Sequence, residues 1–354
     1  MKLERVEKIA AAVLYEGYML YPYRPSAIKN QQRWNFGALY PRSYGLASQG
    51  TDAWTMQTEC LAQGSERTVI DVKVRFLHLL TREVGELATP VHELEKGAEP
   101  NFRRVASLEV GSRVYQEWQE AIEREVIARE INLSELVAQP QQRAFTFSSN
   151  RELESLRDAS GQIAGAFIRE QQFIEGSVEL SAERAGEGLF KIRARILNLT
   201  ALEDEHLKNR DEALIRAFVS THTIFNARDG EFVSLLDPPE EFREMVALCH
   251  NTGTYPVLVG EEGTRDCVLS SPIILYDYPR IAPESAGDFF DGTEMDEMLT
   301  LRVMTLTDDE KREMRGGDER ARLILERTET MPVEQLMKLH GAVRGLRSLK
   351  EDER

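Results

Sequence analysis

The sequence predicts an α+β protein whose core is an antiparallel, sandwich-like β-sheet decorated by helices. Residues 67–80 alternate between apolar and charged side chains, which is typical of a strand with one buried face. Residues 143–200 contain further alternating stretches separated by glycine and polar turns, and this favours antiparallel pairing. From residue 307 onward the chain is heavily charged with helical spacing, so we expect a helical, charged C-terminal tail.

The N-terminal part is predicted to begin with an amphipathic helix. Within residues 2–14, apolar side chains recur at helical spacing, with glutamate and lysine on the opposite face. Residues 15–37 follow, and Pro22 and Pro25 exclude a continuous helix or a central strand there. We therefore expect a shaped loop, followed by a strand and a turn over residues 33–45.

The central part is predicted to contain one long helix among strands. Ile70, Val72, Val74 and Phe76 alternate with charged residues in the clearest strand, so the charged face is expected to be solvated. Residues 101–111 indicate another strand. Residues 114–137 switch to helical period with a charged face of glutamates and arginines, which predicts a helix.

The C-terminal part is predicted to combine short helices with a strand pair. Residues 210–227 indicate a helix that runs into a strand, with Asp229-Gly230 as a turn signal. A helix follows Pro238-Pro239 and ends before Gly253. Residues 255–260 and 266–279 are expected to pair as a hairpin. Finally, Thr307 and Glu310 match the capping box of a helix N-terminus.

The polar stretch at residues 201–211 is the best place for a domain boundary. We accordingly predict a β-rich region with an aromatic loop at residues 1–205, and an α+β region with the helical tail at residues 206–354. The polar stretch is equally compatible with a surface helix, and in that case the chain forms one domain.

Composition restricts the class of protein. The net charge of −16 argues against a nucleic-acid binder or an anionic-membrane binder, since contact with phosphate needs a basic surface. The first residues form neither a usual signal peptide nor a membrane span. Three cysteines, an odd and small number, fit a reducing cytoplasm better than a disulfide scaffold. These observations predict a soluble, cytoplasmic protein.

Two segments, residues 15–37 and 249–297, have unusual composition. The first concentrates aromatic and basic residues between prolines, and the second places two phenylalanines within a run of carboxylates. Aromatic and arginine side chains are typical anchors of binding surfaces. The alternative is that these rings pack into the protein's own core. The predicted partner-binding residues are Tyr18, Tyr21, Tyr23, Arg24, Trp34, Tyr276, Tyr278, Asp288, Phe289, Phe290 and Asp291.

A metal or catalytic site is the competing hypothesis. Cys249, His250 and Cys267 form the one cluster of soft ligands in the sequence, and a thiolate and an imidazole could bind a metal. Neighbouring residues on a helix point about 100° apart, however, so Cys249 and His250 do not easily share a tetrahedral site. The alternative is a small buried cysteine beside a helix-terminating histidine. No particular cofactor is indicated, and the calcium-loop spacing is missing from residues 282–298.

The two blocks at residues 14–37 and 268–315 resemble a bacterial family that is encoded beside NiFe-hydrogenase genes of the actinobacterial, high-affinity uptake type. The resemblance implies an accessory, assembly or maturation function with a hydrogenase subunit or a maturation factor as partner. It assigns no role to any residue. We therefore predict a non-catalytic accessory protein that binds a protein partner; the alternatives are a metal carrier or enzyme, and a structural subunit of a larger complex.

Overall fold

The computed structural model describes residues 2–15, 36–94, 101–111, 113–203, 209–280, 302–316 and 319–332. The predicted α+β class is confirmed, with an antiparallel sheet core, decorating helices and a helical tail. The strands are β1 (Thr55–Val91), β2 (Arg103–Val105), β3 (Ser107–Val110), β4 (Arg113–Gln116), β5 (Trp118–Asn132), β6 (Gln141–Phe147), β7 (Asn150–Arg157), β8 (Ile163–Gln171), β9 (Ile174–Gly186), β10 (Leu189–Asn198), β11 (Phe218–Phe232), β12 (Tyr255–Leu258) and β13 (Cys267–Ser271).

Helices lie before, between and after these strands. A short 3₁₀ turn at Glu240–Phe242 precedes one of them. The helices are α1 (Lys2–Leu14), α2 (Arg42–Ala47), α3 (Leu133–Ala138), α4 (Arg210–Leu214), α5 (Arg243–Ala247), α6 (Asp308–Gly316) and α7 (Glu319–Thr330). The predicted capping box is confirmed at the start of α6, because the Thr307 hydroxyl accepts from the Glu310 amide while the Glu310 carboxylate accepts from the Thr307 amide.

Strand β1 organises the sheet. It is 37 residues long, and its first part pairs with β10. Its central part pairs with β11 on one side and β5 on the other, and its last part pairs with β8 and β2. The strand order β12-β13-β11-β1-β10-β9-β6 is antiparallel throughout. The predicted strand at residues 67–80 is therefore the middle of a much longer one.

The two faces of β1 carry different packing. One face sends Ile70, Val72, Val74 and Phe76 into the main core, where aromatic rings of β10 and β11 meet them. On the other face Leu77 and Leu79 contact side chains of α1, α6 and α7. The apolar stripe of α1 packs on β11, β12 and β13. Helices thus cover one face of the sheet, as the amphipathic pattern of residues 2–14 predicts.

The predicted helix at residues 114–137 is wrong over most of its length. The chain forms β4 and β5 there, and only Leu133–Ala138 is helical. Strand β5 pairs with β1 from Val69 to Arg82, so its acidic side chains meet the basic ones of β1. Cross-strand charge pairing and burial against β1 therefore override the local helical period. The Asp229-Gly230 turn signal likewise lies inside β11, opposite an irregularity in β1.

The position of the predicted domain boundary, 205/206, lies between β10 and β11. Both strands pair directly with β1, so strands from the two predicted regions belong to one sheet. The prediction that a helix runs into a strand over residues 210–227 is confirmed by α4 and β11. The predicted pairing of β12 with β13 is also confirmed.

Candidate functional site

The C-terminal end of the aromatic segment is fixed on strand β11. The backbone oxygen of Phe36 accepts a hydrogen bond from Ser220 at 3.0 Å, and that of Gly37 accepts one from Thr221 at 3.1 Å. Leu39 then forms a bridge with Phe218. These bonds hold residues 36–39 as a short extension beside β11, and they determine where the segment leaves the sheet.

The second unusual segment reaches the same place. Pro272 directly follows β13, which is the neighbour of β11 in the sheet. A Cβ added at Gly37 would lie 2.6 Å from the Pro272 Cγ, which shows how closely the Gly37 backbone approaches the Pro272 ring. Gly37 also has a φ of +52°, in the region that favours glycine. Gly37, the last residue of the first segment, is therefore in contact with Pro272, which lies within the second segment.

The N-terminal end of the aromatic segment is anchored on the same side of the sheet. The Tyr15 hydroxyl donates to the Glu123 carboxylate of β5 at 2.7 Å, and the ring is buried. The Ser220 hydroxyl donates to the backbone oxygen of Val13 at 3.2 Å. Ser220 itself has a φ of +52°, an uncommon conformation for a residue with a side chain. Ser220 of β11 thus binds the backbone oxygens of Val13, just before the segment, and of Phe36 near its C-terminal end.

A buried ion cluster holds α1 in this position. Arg75 of β1 is only 5% exposed, and its guanidinium lies 2.9 Å from the Glu123 carboxylate. Glu7 of α1 contacts both Arg75 and Lys73. The charged face of the predicted strand is therefore not solvated at Arg75, because α1 and the glutamates of β5 cover it. Charge pairing of this kind satisfies a buried guanidinium and fixes the helix in register.

His222 lies opposite Arg75 in the β1–β11 ladder and is fully buried. Its Nδ1 contacts the backbone oxygen of Ser220 at 3.0 Å, whereas no residue that the structure describes is hydrogen-bonded to its Nε2. Burial lowers the pKa of His222 to about 4, and the nearby Arg75 charge acts in the same direction. The side chain is consequently neutral at physiological pH and helps to fix the strand beneath both segments.

Residues after Pro272 are tied along the outer edge of β12. The Asp277 carboxylate accepts from the Leu258 amide at 2.8 Å, and the Tyr278 amide donates to the Leu258 oxygen at 2.7 Å. This leaves Ile274 73% exposed and Tyr276 87% exposed. Tyr278, with a φ of +56°, packs its ring against the main core instead. Of the predicted partner-binding residues that the structure describes, Tyr276 has the exposure that binding requires.

The remaining predicted partner-binding residues lie outside the described residues. They are Tyr18, Tyr21, Tyr23, Arg24, Trp34, Asp288, Phe289, Phe290 and Asp291. Two exposed apolar side chains were not among the predicted partner-binding residues, Phe36 at 48% and Ile274 at 73% exposed. Phe36 directly precedes Gly37 and Ile274 follows Pro272 by two residues, so a nearby glycine or proline was the available signal.

The Cys249-His250-Asn251 run has a structural role at the edge of the sheet. Glu59 of β1 is buried, and its carboxylate accepts from the His250 amide at 2.9 Å and faces the Arg193 Nε at 3.1 Å. The Asn251 side chain accepts from the Glu59 amide at 2.8 Å. The loop after α5 therefore closes over a buried carboxylate.

The structure does not bring the predicted metal ligands together. Cys249 packs with Leu61, Leu189 and Val233, whereas Cys267 belongs to the cluster beneath α1. Within the ranges that the structure describes, no three histidine, cysteine or acidic side chains are placed to hold a metal ion. Burial raises the pKa of Cys249 to about 11 and that of Cys267 to about 12. Both thiols are therefore protonated at neutral pH, unlike thiolates that bind metals or attack substrates.

Comparison of the sequence with known proteins does not assign the chain to a family. No protein-family model matches the chain, and no curated protein shows significant sequence similarity to it. Among the described residues no helix is both long enough and apolar enough to cross a membrane. The contact between Gly37 and Pro272, with exposed Phe36, Ile274 and Tyr276 close to it in the sequence, is the candidate site that the geometry favours.

Proposed function

We propose that the protein is a non-catalytic accessory protein that binds a protein partner at the junction of its two unusual segments. The observation that carries this proposal is the contact between Gly37 and Pro272, which brings the end of the first segment against the second segment beside β11 and β13. Phe36 directly precedes Gly37, Ile274 and Tyr276 follow Pro272 by two and four residues, and all three expose large apolar surface. We call these three side chains the junction residues.

The chemistry of the junction residues suits recognition of another protein. A tyrosine that is 87% exposed offers a broad apolar ring and a polar hydroxyl, a combination enriched at protein interfaces. The rigid base beneath the residues limits the ordering entropy that binding would otherwise cost. Asp277 and the ladder contacts of Tyr278 with Leu258 supply this rigidity.

The partner we propose is a NiFe-hydrogenase subunit or a factor of hydrogenase maturation. Support comes from the resemblance of residues 14–37 and 268–315, which contain all three junction residues, to the family encoded beside such genes. A protein that escorts or assembles a subunit needs a recognition surface rather than a catalytic constellation. The junction residues are suited to that task.

The test is affinity capture from the native host at endogenous expression, quantified by mass spectrometry. The variant carries Ile274→Ser and Tyr276→Ser together, and the control is Leu323→Ser, since Leu323 of α7 is 55% exposed and lies in another part of the fold. We expect the double variant to recover hydrogenase subunits or maturation factors at least about tenfold less than wild type, as loss of interface anchors commonly does.

Unchanged recovery with the folded double variant would overturn the proposed site, as would an equal loss with the Leu323 control. Absence of every hydrogenase-related protein from the wild-type eluate would overturn the proposed partner. A partner that stays bound at fixed stoichiometry through size-exclusion chromatography would identify the protein as a structural subunit rather than a transient accessory factor.

A further inference from the structure

A second, separate cluster of polar side chains lies at the end of the main core. His78 of β1 is fully buried, with Arg124 of β5 and the backbone of Gln172, which follows β8, as its neighbours. Among the described residues, neither ring nitrogen of His78 has a hydrogen-bond partner of normal geometry, and the backbone of Gln172 lies beside the ring. A buried imidazole always carries at least one N–H donor, so this side chain has an unmet hydrogen-bonding capacity.

Arg124 of β5 is the neighbour of His78 on the same face of the sheet. Phe76 pairs with Arg124 and His78 pairs with Ile122, so the two polar residues are diagonal neighbours on adjacent strands, within reach of a long side chain. The guanidinium of Arg124 lies 4.6 Å from the centre of the Phe147 ring. One terminal nitrogen donates to the Gln171 side chain at 3.2 Å, while the buried Nε has no hydrogen-bond partner in the described ranges.

Arg124 differs from the other half-buried or buried arginines of this sheet. Arg75, Arg82 and Arg169 each lie within 3 Å of a glutamate oxygen. Within the described part of the chain, Arg124 has no carboxylate within 4 Å. Burial lowers the pKa of the Arg124 guanidinium, and together with the Arg124 charge it lowers the pKa of His78 to about 4. An unpaired cation thus lies beside a neutral histidine, an arrangement that is unfavourable without a counter-ion.

We infer that Arg124 and His78 form a binding site for a small oxyanion, either a carboxylate or a phosphate group. Arg124 would supply the charge and its free Nε–H, and the N–H of His78 would donate a second hydrogen bond to an anion oxygen. Phe147 forms the apolar wall beside the guanidinium. The Gln171 amide side chain holds the guanidinium in place, since its own amide donates to the Ser148 oxygen at 2.6 Å. This site is independent of the proposed partner surface.

The first test measures thermal unfolding with sodium phosphate, sodium acetate or sodium chloride at equal ionic strength and pH 7. A ligand that binds only the native state raises the melting temperature with its concentration. We expect phosphate or acetate, but not chloride, to do so in wild type. Arg124→Gln should weaken the anion's Kd at least tenfold. Arg129→Gln, which removes an exposed cation from the same strand, should leave it within about twofold.

The anion that raises the melting temperature identifies the chemical group that the site binds. A response to phosphate alone indicates a phosphate group, a response to acetate alone indicates a carboxylate, and either supports the site. If no anion stabilises wild type more than chloride, or if Arg129→Gln loses the effect equally, the site is refuted.

A second measurement covers the case in which Arg124→Gln does not fold. Wild-type protein with nitrogen-15 in its histidines is titrated with the same salts and observed by NMR, with His78→Gln used to assign the His78 signals. Binding at the site shifts the ring-nitrogen resonances of His78 in a saturable manner, whereas a salt effect moves the signals of exposed His250 as well. Unmoved His78 resonances would refute the inference.

Discussion

The contact between Gly37 and Pro272 can be tested by adding a single methyl group. Gly37→Ala places a Cβ 2.6 Å from the Pro272 Cγ and 2.9 Å from its Cβ, both shorter than any ordinary contact. The neighbouring Thr221 backbone nitrogen lies 3.1 Å from the same position. Because Gly37 is hydrogen-bonded to β11, it cannot move away without breaking the bond to Thr221. The substitution should therefore push the two segments apart.

The expected loss has two parts. A left-handed φ costs an alanine about 1–2 kcal/mol relative to glycine. Forcing a methyl group into filled space costs about 1–3 kcal/mol more. Gly37→Ala should therefore lower the free energy of unfolding by about 2–5 kcal/mol. Gly111→Ala is the matched control, since Gly111 has a similar φ of +64° but nothing within 4 Å of an added Cβ. Gly111→Ala should show only the loss that comes from the left-handed φ, about 1–2 kcal/mol.

Urea denaturation at pH 7 measures both variants, with the slope checked for two-state behaviour. Adding Pro272→Ala completes a double-mutant cycle. Pro272→Ala removes the Cγ but keeps the Cβ. It should therefore recover about 1 kcal/mol of the stability that Gly37→Ala loses, but not all of it. If Gly37→Ala costs no more than Gly111→Ala, or if Pro272→Ala gives no coupling, the two segments do not meet as we describe.

Two further predictions concern buried charge and pH. Glu59→Gln should lower the free energy of unfolding by about 2–3 kcal/mol in urea denaturation, because it weakens charge-assisted bonds with Arg193 and the His250 amide. Between pH 7 and 5 the free energy of unfolding should fall as the pH falls, since His222 has its pKa lowered to about 4 and takes up a proton only after unfolding, near pH 6.5. His222→Gln should remove the His222 contribution to that dependence, which is about 2 kcal/mol between pH 7 and 5.

Each of these two predictions has a clear contrary result. Glu66→Gln serves as the control for Glu59→Gln, because Glu66 is exposed in the same strand. Equal effects of the two substitutions would show that the carboxylate of Glu59 does not hold the loop after α5. A pH dependence that persists unchanged in His222→Gln would assign the proton uptake to other groups, of which buried His78 is the first to examine.

The local patterns that predicted the fold correctly are those that follow from burial on one face. Alternation at residues 67–80 and 143–200 identified strands of the main sheet, and the apolar stripe of residues 2–14 identified α1. The capping box at Thr307 was also correct, since its partners are three residues apart. Such patterns need no information from distant parts of the chain.

The sequence-based predictions were wrong where contacts with residues far away in the sequence determine the local structure. The helical period of residues 114–137 was outweighed by pairing with β1, because Arg75 and Arg82 of β1 form ion pairs with glutamates of β5. Arg75 was expected in water for the same reason, because the sequence does not show that α1 and β5 cover it. Cys249 and Cys267 were grouped by sequence distance, whereas the fold places them in different clusters.

The sequence by itself determined the α+β class and the two segments in which the candidate site lies. Their proline, glycine and aromatic content is a local property of the chain. Only the tertiary structure decided that these segments meet, since their contact depends on β11 lying between β1 and β13, and on Gly37 fitting against Pro272. It also decided that Tyr276 stays exposed while Tyr278 packs inward, because the hydrogen bonds of Leu258 with Asp277 and Tyr278 orient that part of the chain. Pairing over long sequence separation is a property of the whole fold, and no local pattern specifies it.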